Sequence, residues 1–229
     1  MKVDGSIEDL KEGFSVWVDV IDPDEKELEN LSQKFSLNQD AIQTCINKSK
    51  KPEIRQLDSH TFTVVVDMKN KDPETLLIEA VYFFLGKNWL VTIHSNEVNL
   101  KQIGERLFNI QNETIKQRRI DALYYNLLAG LVRKYEQLLT ALELSVNEYQ
   151  RRSFVRPFPA IFESIDILSR QVIMLRRHFW HVRNIINFLL HTEKDKEDVK
   201  YIEMVYDDIS QLIDFVESYE GTINSIREL

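Results

Sequence analysis

The chain has 229 residues, with 37 Asp and Glu against 29 Lys and Arg for a formal net charge of -8. That length can bury a sizeable core, as one large domain or two smaller ones. The acidic balance excludes a general nucleic-acid binder, because phosphate contact needs a basic surface, and favours a protein that attracts cations.

The single cysteine, Cys45, cannot form an internal disulfide, so a reducing, cytosolic compartment and a buried, inert thiol are expected. No run approaches the ~20 apolar residues that cross a bilayer, and MKVDGSIEDLKEG has no apolar stretch suited to a signal peptide.

Five of the six glycines precede residue 131, so the first half is punctuated and the second is not. FSVWVDVI sets Phe14, Val16, Val18 and Val20 on one face, the alternation of a half-buried strand. In DPDEKELENLSQKFS, Asp22 reads as the N-cap, Pro23 as the first helical residue and Glu25 as the capping-box partner. Leu28, Leu31 and Phe35 then share a helix face. SLNQDAIQTCIN reads as a short second helix, ended by the lysine run before Pro52. HTFTVVVDM, LLIEAVYFFLG and NWLVTIHS read as strands, the last two joined at Gly86-Lys87-Asn88 into an antiparallel hairpin. Leu100, Ile103, Leu107 and Ile110 mark a further helix. Residues 1–112 are therefore expected to form an α+β domain, with α/β/α layers around a mixed sheet.

From Asp121 the pattern turns helical. Leu123, Leu127, Leu131, Leu138, Leu142, Val146 and Tyr149 recur close to a 3.6 period as far as about Arg151. A second helix opens near Pro159 with the row Ile165, Leu168, Val172, Leu175, Phe179, Val182, Ile186 and Leu189. At 1.5 Å per residue it runs roughly 45 Å, and residues 113–191 are expected to form a long antiparallel helix pair. A charged linker, residues 191–200, leads into a third helix.

In that third helix Ile202, Val205, Ile209, Leu212, Val216, Tyr219, Ile223 and Ile226 repeat at spacings 3, 4, 3, 4, 3, 4, 3. This is an a/d heptad stripe with a β-branched residue at each a position. Its alternatives are a seam between chains and a helix packed on its own domain; the unbroken 3.5 period favours the seam. Gly221 interrupts good helix formers, as a bend or a close contact would require.

Catalytic and phosphate-binding signatures are missing: neither GxGxxG nor GxxxxGK[ST] occurs, and Gly5-Ser6 has no nucleophile elbow around it. His178 and His181 stand at i, i+3 without a third ligand, so a helix face is preferred to a zinc site. His60, His94 and His191 stand alone. The acidic runs, Glu193 to Asp198 and Asp207-Asp208, read as solvated faces compatible with weak Mg²⁺ binding. No enzyme is proposed.

Several segments in order resemble the CorA family of magnesium channels. WVDVIDPDEKELENLSQKFSLNQDAI carries the family's Trp-x-Asp, Pro and Phe-x-Leu at Trp17, Asp19, Pro23, Phe35 and Leu37. The likeness continues through Lys51-Pro52-Glu53-Ile54, FFLGKNWLVTIH with Gly86, Asn88, Leu90, Val91, Thr92 and His94, and DALYYNLLAGLVRKYEQLL with Asp121, Leu123, Tyr125, Leu131 and Tyr135. It ends in a stalk-like helix at Val205, Tyr206, Asp207, Asp214 and Glu217.

The resemblance implies a soluble cytoplasmic domain at the face of the cell membrane, in a homopentamer. Residues 192–229 would begin the stalk helix leading beyond Leu229 into the first membrane span, with the Gly-Met-Asn pore signature after it. It also implies a regulatory Mg²⁺ held between the N-terminal domain of one protomer and the stalk of its neighbour. Glu228 matches an acidic stalk position of that site, at heptad position f, and Asp40 is the remaining acid near the N-terminal half. The family's acidic pair falls on Gln43 and Thr44, its His-Pro on Asn38-Gln39, and a second stalk acid on Met204 beside Glu203. The transported ion implied is Mg²⁺, with Co²⁺ or Ni²⁺ as further cargo. Alternatives are the zinc-transporting branch of the family and a free-standing coiled-coil adaptor, which a stop codon after Leu229 would indicate.

Overall fold

The computed structural model describes residues 1–72, 75–108, 120–155 and 161–228, with side chains for all of these except 105–108. The chain divides into two compact units. Unit 1 comprises Met1–Asp67 and Glu79–Leu131, and unit 2 comprises Met68–Ile78 and Val132–Leu229. The boundary expected at residue 112 lies outside the described residues, as do Ile110, Pro159 and the Leu107 side chain.

Unit 1 is built on a six-stranded sheet: β1 (Lys2–Val3), β2 (Val16–Ile21), β3 (Glu53–Gln56), β4 (Thr61–Asp72), β5 (Thr75–Leu85) and β6 (Trp89–His94), in the order β1-β2-β6-β5-β4-β3. The sheet is mixed. β1 and β6 flank β2 in parallel, β5 pairs β6 antiparallel as the expected hairpin, and β3 pairs β4 antiparallel. Its helices are α1 (Ile7–Lys11), α2 (Glu25–Phe35), α3 (Gln39–Ile46), α4 (Leu100–Phe108) and the start of α5 (Ile120–Ser153).

Alternation in β2 suggests one buried face, yet both are covered. Val16 and Trp17, neighbours pointing to opposite sides, are 0% and 1% exposed. On one side Leu28, Phe35, Leu37, Ala41, Ile42 and Cys45 of the α2–α3 layer meet Phe62, Val64, Tyr82, Phe84, Val91 and Ile93. On the other, Trp17 lies against α4, where a Cβ on Gly104 would come within 2.9 Å of its ring. Tyr124 of α5 packs edge-on to Phe83 and shares a 2.6 Å hydrogen bond with Thr63. The expected α/β/α layering follows from these contacts. Cys45 is buried, and burial pushes its thiol pKa well up, so it is inert as expected.

The start of α2 differs from the sequence reading by one short step along the chain. Asp24, not Asp22, is the N-cap, in a capping box with Glu27. Asp22 instead adopts a left-handed conformation (φ 48°) and closes the end of β2: its N–H donates to the His94 carbonyl, and its Oδ2 accepts from the Asn96 N–H. Both aspartates suit a cap, and the tertiary bond to β6 decides between them.

Unit 2 consists of the rest of α5 with α6 (Phe162–Thr192), α7 (Lys196–Arg227) and the ends of β4 and β5. All eight residues of the α6 row are buried, and Phe179 stacks on Tyr135 of α5 at 5.1 Å. The connection to α7 is shorter than the charged linker suggested. It spans only Glu193 to Asp195, and Asp195 caps α7 by accepting from the N–H groups of Glu197 and Asp198. So short a turn makes α6 and α7 antiparallel neighbours. The ion pairs Arg176 to Glu220 (2.7 Å) and Arg227 to Asp166 (3.0 Å) run in opposite order along the two helices, as that arrangement requires. Trp180 stands on the outer side of α6, 41% exposed, with the Arg183 guanidinium 3.8 Å above its ring.

Candidate functional site

Four of the residues that carry the family resemblance in unit 1, Trp17, Asp19, Thr92 and His94, meet in one buried polar chain. Trp17 and Asp19 alternate on one face of β2, Thr92 and His94 on the same face of β6, and the parallel register sets Asp19 opposite Thr92. Trp17 Nε1–H donates to Thr92 Oγ1 (3.0 Å), and Thr92 donates to Asp19 Oδ1 (2.6 Å). His94 Nε2 lies 3.0 Å from the same Oδ1, and His94 Nδ1 lies 2.7 Å from the Ser95 carbonyl. Asp19 N–H donates to Asp4 Oδ1, whose other oxygen accepts from Lys101 at 2.7 Å. The His94 and Asp19 side chains are each 1% exposed, and Asp19 Oδ2 is buried without a hydrogen-bond partner.

Burial pushes the His94 pKa down, but the hydrogen bonds to Asp19 and the Ser95 carbonyl and the charges of Asp19 and Asp22 outweigh it. The net result is a pKa above the ordinary histidine value. His94 does not stand alone, contrary to its reading from sequence, which had no view of cross-strand register. The trio is not a hydrolytic triad either. The Thr92 hydroxyl is spent on the carboxylate, not the imidazole, and so is not activated as a nucleophile.

The other histidines have local roles. His60 packs against Phe84 and Trp89, and burial lowers its pKa. His178 has its pKa lowered by burial and then by His181 and Arg177, and its Nδ1 is buried without a hydrogen-bond partner. Among the described residues, neither His178 nor His181 joins a group of three metal-ligand side chains.

Of the acids considered for Mg²⁺, Asp40 is exposed in the first turn of α3, and Glu228 is exposed where it caps the C-terminus of α7. Among the described residues neither belongs to a cluster of three potential ligands. Each offers one carboxylate, which suits an ion that keeps most of its water and does not suit a closed protein cage. The positions where the family has its acidic pair are otherwise engaged. Gln43 bonds Asn47, and Thr44 bonds the Asp40 carbonyl while accepting from Arg55 at 3.2 Å. Met204 is 64% exposed beside exposed Glu203.

The heptad stripe takes the destination that the sequence reading ranked second. Ile202, Val205, Ile209, Leu212, Val216, Ile223 and Ile226 are all buried within the single chain, and Tyr219 is half-buried. A face already covered in its own protomer cannot also be the open seam to another. The 3.5 period reports a narrow helix contact, which α6 supplies as well as a second chain would. Gly221 is exposed, and a Cβ there would meet nothing within 4 Å, so no close contact accounts for it.

Two layers of helix around a mixed sheet, joined to a long-helix unit, define a class of architecture that comparison with known proteins narrows to a family. Residues 12–229 match the model for the CorA-like Mg²⁺ transporter protein family, and the chain belongs to that family. It is similar to the cobalt/magnesium transport protein CorA of Methanocaldococcus jannaschii, 24% identical over 93% of this chain and 68% of that one. The solved soluble domain of CorA from the same organism superposes with a TM-score of 0.79 at 22% identity, covering 93% of this chain and 86% of that one. The cytoplasmic domain of ZntB from Vibrio parahaemolyticus has the same fold, with a TM-score of 0.68 at 12% identity over 93% of this chain and 84% of that one. The chain spans 59% to 70% of the length of the curated relatives it matches. Among the described residues no helix is long and apolar enough to cross a membrane.

Proposed function

We propose that this chain is the regulatory and assembly domain of a CorA-like divalent cation channel, lying on the cytoplasmic face of the cell membrane and gating a pore for Mg²⁺, with Co²⁺ or Ni²⁺ as further cargo. The observation that carries the reading is the family match from residue 12 to residue 229, which leaves only the first strand and the first short helix outside it. The name of the Methanocaldococcus relative, cobalt/magnesium transport protein, supports the choice of ion. Fold likeness to the ZntB domain is lower on both identity and superposition, so the zinc branch is the second choice. In the intact protein the domain assembles as a homopentamer, through faces other than the buried stripe from Ile202 to Ile226.

In this reading a regulatory Mg²⁺, largely hydrated, takes single carboxylates from Glu228 of one protomer and Asp40 of its neighbour. Thermal melts of the chain with and without millimolar Mg²⁺ test it. Mg²⁺ is expected to raise the melting temperature, and Glu228→Ala or Asp40→Ala to remove most of the rise. Superimposed melting curves with and without the ion would overturn the sensor role. A rise with Zn²⁺ in place of Mg²⁺ would move the chain to the zinc branch. Light scattering at several concentrations reads the assembly.

A further inference from the structure

The protonation of the buried chain in unit 1 follows from which atoms can donate. Indole Nε1–H is donor only, so Thr92 Oγ1 accepts from Trp17, and its one hydrogen is left for Asp19 Oδ1. The Ser95 carbonyl is acceptor only, so His94 Nδ1 carries a hydrogen. His94 Nε2 then faces Oδ1 across 3.0 Å. If the imidazole were neutral and the carboxylate ionised, two lone pairs would meet there between side chains that are each 1% exposed. One further proton must lie between them, and because imidazole is ordinarily the stronger base it sits on the ring, leaving the pair as imidazolium and carboxylate.

We propose that the His94–Asp19 pair is a proton-dependent latch, holding the carboxyl ends of β2 and β6 together while it keeps that proton and releasing them when the proton is lost.

The latch sits where release has a structural consequence. Ile21 stands opposite His94 in the register, the Asp22 N–H donates to the His94 carbonyl at 2.9 Å, and the Asn96 N–H donates to Asp22 Oδ2 at 3.0 Å. The segment from Asp22 leads directly into the cap of α2. His94 also lines a cleft of about 360 Å³ with Asp22, Lys48, Lys50, Glu79 and Ser95, which gives a proton a path to the ring.

The charged groups around the ring are therefore Asp19 and Asp22 from β2 and its end, Glu79 from β5, and Lys48 and Lys50 from the segment after α3. Asp4 and Lys101 act through Asp19. Lys50 lies 3.8 Å from Glu79, and Glu79 accepts from Ser95 Oγ, so these charges partly offset one another. The pKa displacement is upward, with the same sign as the donor count. A histidine held above its unfolded value, about 6.5, gives its full stabilisation below that pH and loses it as pH rises through the folded value. His60 and His178 are displaced downward, so their contribution is lost as pH falls instead. The two legs are separable.

The test is a pH series on the whole chain, from about pH 6 to about pH 9, following the imidazole nitrogens by ¹⁵N NMR and backbone amide exchange by mass and NMR. Both His94 nitrogens are expected to be protonated at neutral pH. As the ring titrates, protection of the Asp22 and Asn96 amides is expected to drop at least tenfold, with core amides such as Val91 unchanged. The melting temperature of the wild type should fall over the same interval, and that fall should be absent in His94→Gln. A neutral His94 ring at pH 7 overturns the proposal. So does titration of the ring with no change at Asp22 and Asn96, or a His94→Gln profile that keeps the alkaline fall. The ring and amide measurements on the wild type decide the matter even if the variant does not fold, and none of them depends on metal binding.

Discussion

Unit 1 and unit 2 are stabilised in different ways. Unit 2 is held by periodicity: rows of Ile, Val and Leu along α6 and α7 close on one another, and the polar cross-links between them lie at the rim. Each buried aliphatic side chain there contributes roughly 1.5–3 kcal/mol, and one can replace another of similar volume. Unit 1 has an apolar core of the same kind but adds a chain of hydrogen bonds through Trp17, Thr92, Asp19 and His94, in which each bond has an assigned direction. Such a chain tolerates no substitution that drops a donor or an acceptor. A motif of named residues is therefore expected where polar groups are buried, and only a pattern of residue types where helices pack.

Substitutions put this contrast to the test. The largest effect is expected for Asp19→Ala, which leaves the His94 imidazolium buried without its counterion and costs roughly 3–5 kcal/mol in urea unfolding. A cost under about 1 kcal/mol would mean that unit 1 rests on its apolar core alone. Next comes Ile209→Ala, at a fully buried position of α7, with an expected loss of roughly 2–5 kcal/mol from transfer and cavity terms. Ile209→Val should recover most of it, whereas no conservative replacement of Asp19 should. The smallest effect has the opposite sign. Gly221→Ala, in open space on α7, should stabilise the helix by about 0.5–1 kcal/mol, measured as a higher melting temperature. A destabilising result would show that Gly221 meets another molecule.

Much of the fold is legible in the sequence because its cause is local. The hairpin between β5 and β6 follows from Gly86-Lys87-Asn88, and α5 to α7 follow from long uninterrupted periods. Strand β3 escapes notice because EIRQ is four residues at the sheet edge, too short for alternation to register. The stripe on α7 is legible as a contact but not as a contact with α6, since a 3.5 period does not say which chain supplies the partner. The candidate site divides likewise. Trp-x-Asp and Thr-x-His each declare an i, i+2 pair on one strand face, but their meeting depends on a parallel register across more than seventy residues of intervening chain. Arg55 beside Thr44 is not legible either, because it depends on how α3 packs against the edge strand β3.

The placement of the three tryptophans gives the molecule its own optical reporters. Trp17 is sealed in unit 1 with its indole N–H bonded to Thr92, Trp89 is half-buried beside Phe35, and Trp180 of unit 2 is open to solvent beneath a guanidinium. Iodide or acrylamide added to the folded chain should quench the red-edge emission of Trp180 first and leave the blue emission of Trp17 nearly untouched. Loosening of unit 1 would then be seen as a change in quenching at the short-wavelength side of the band, with no label attached.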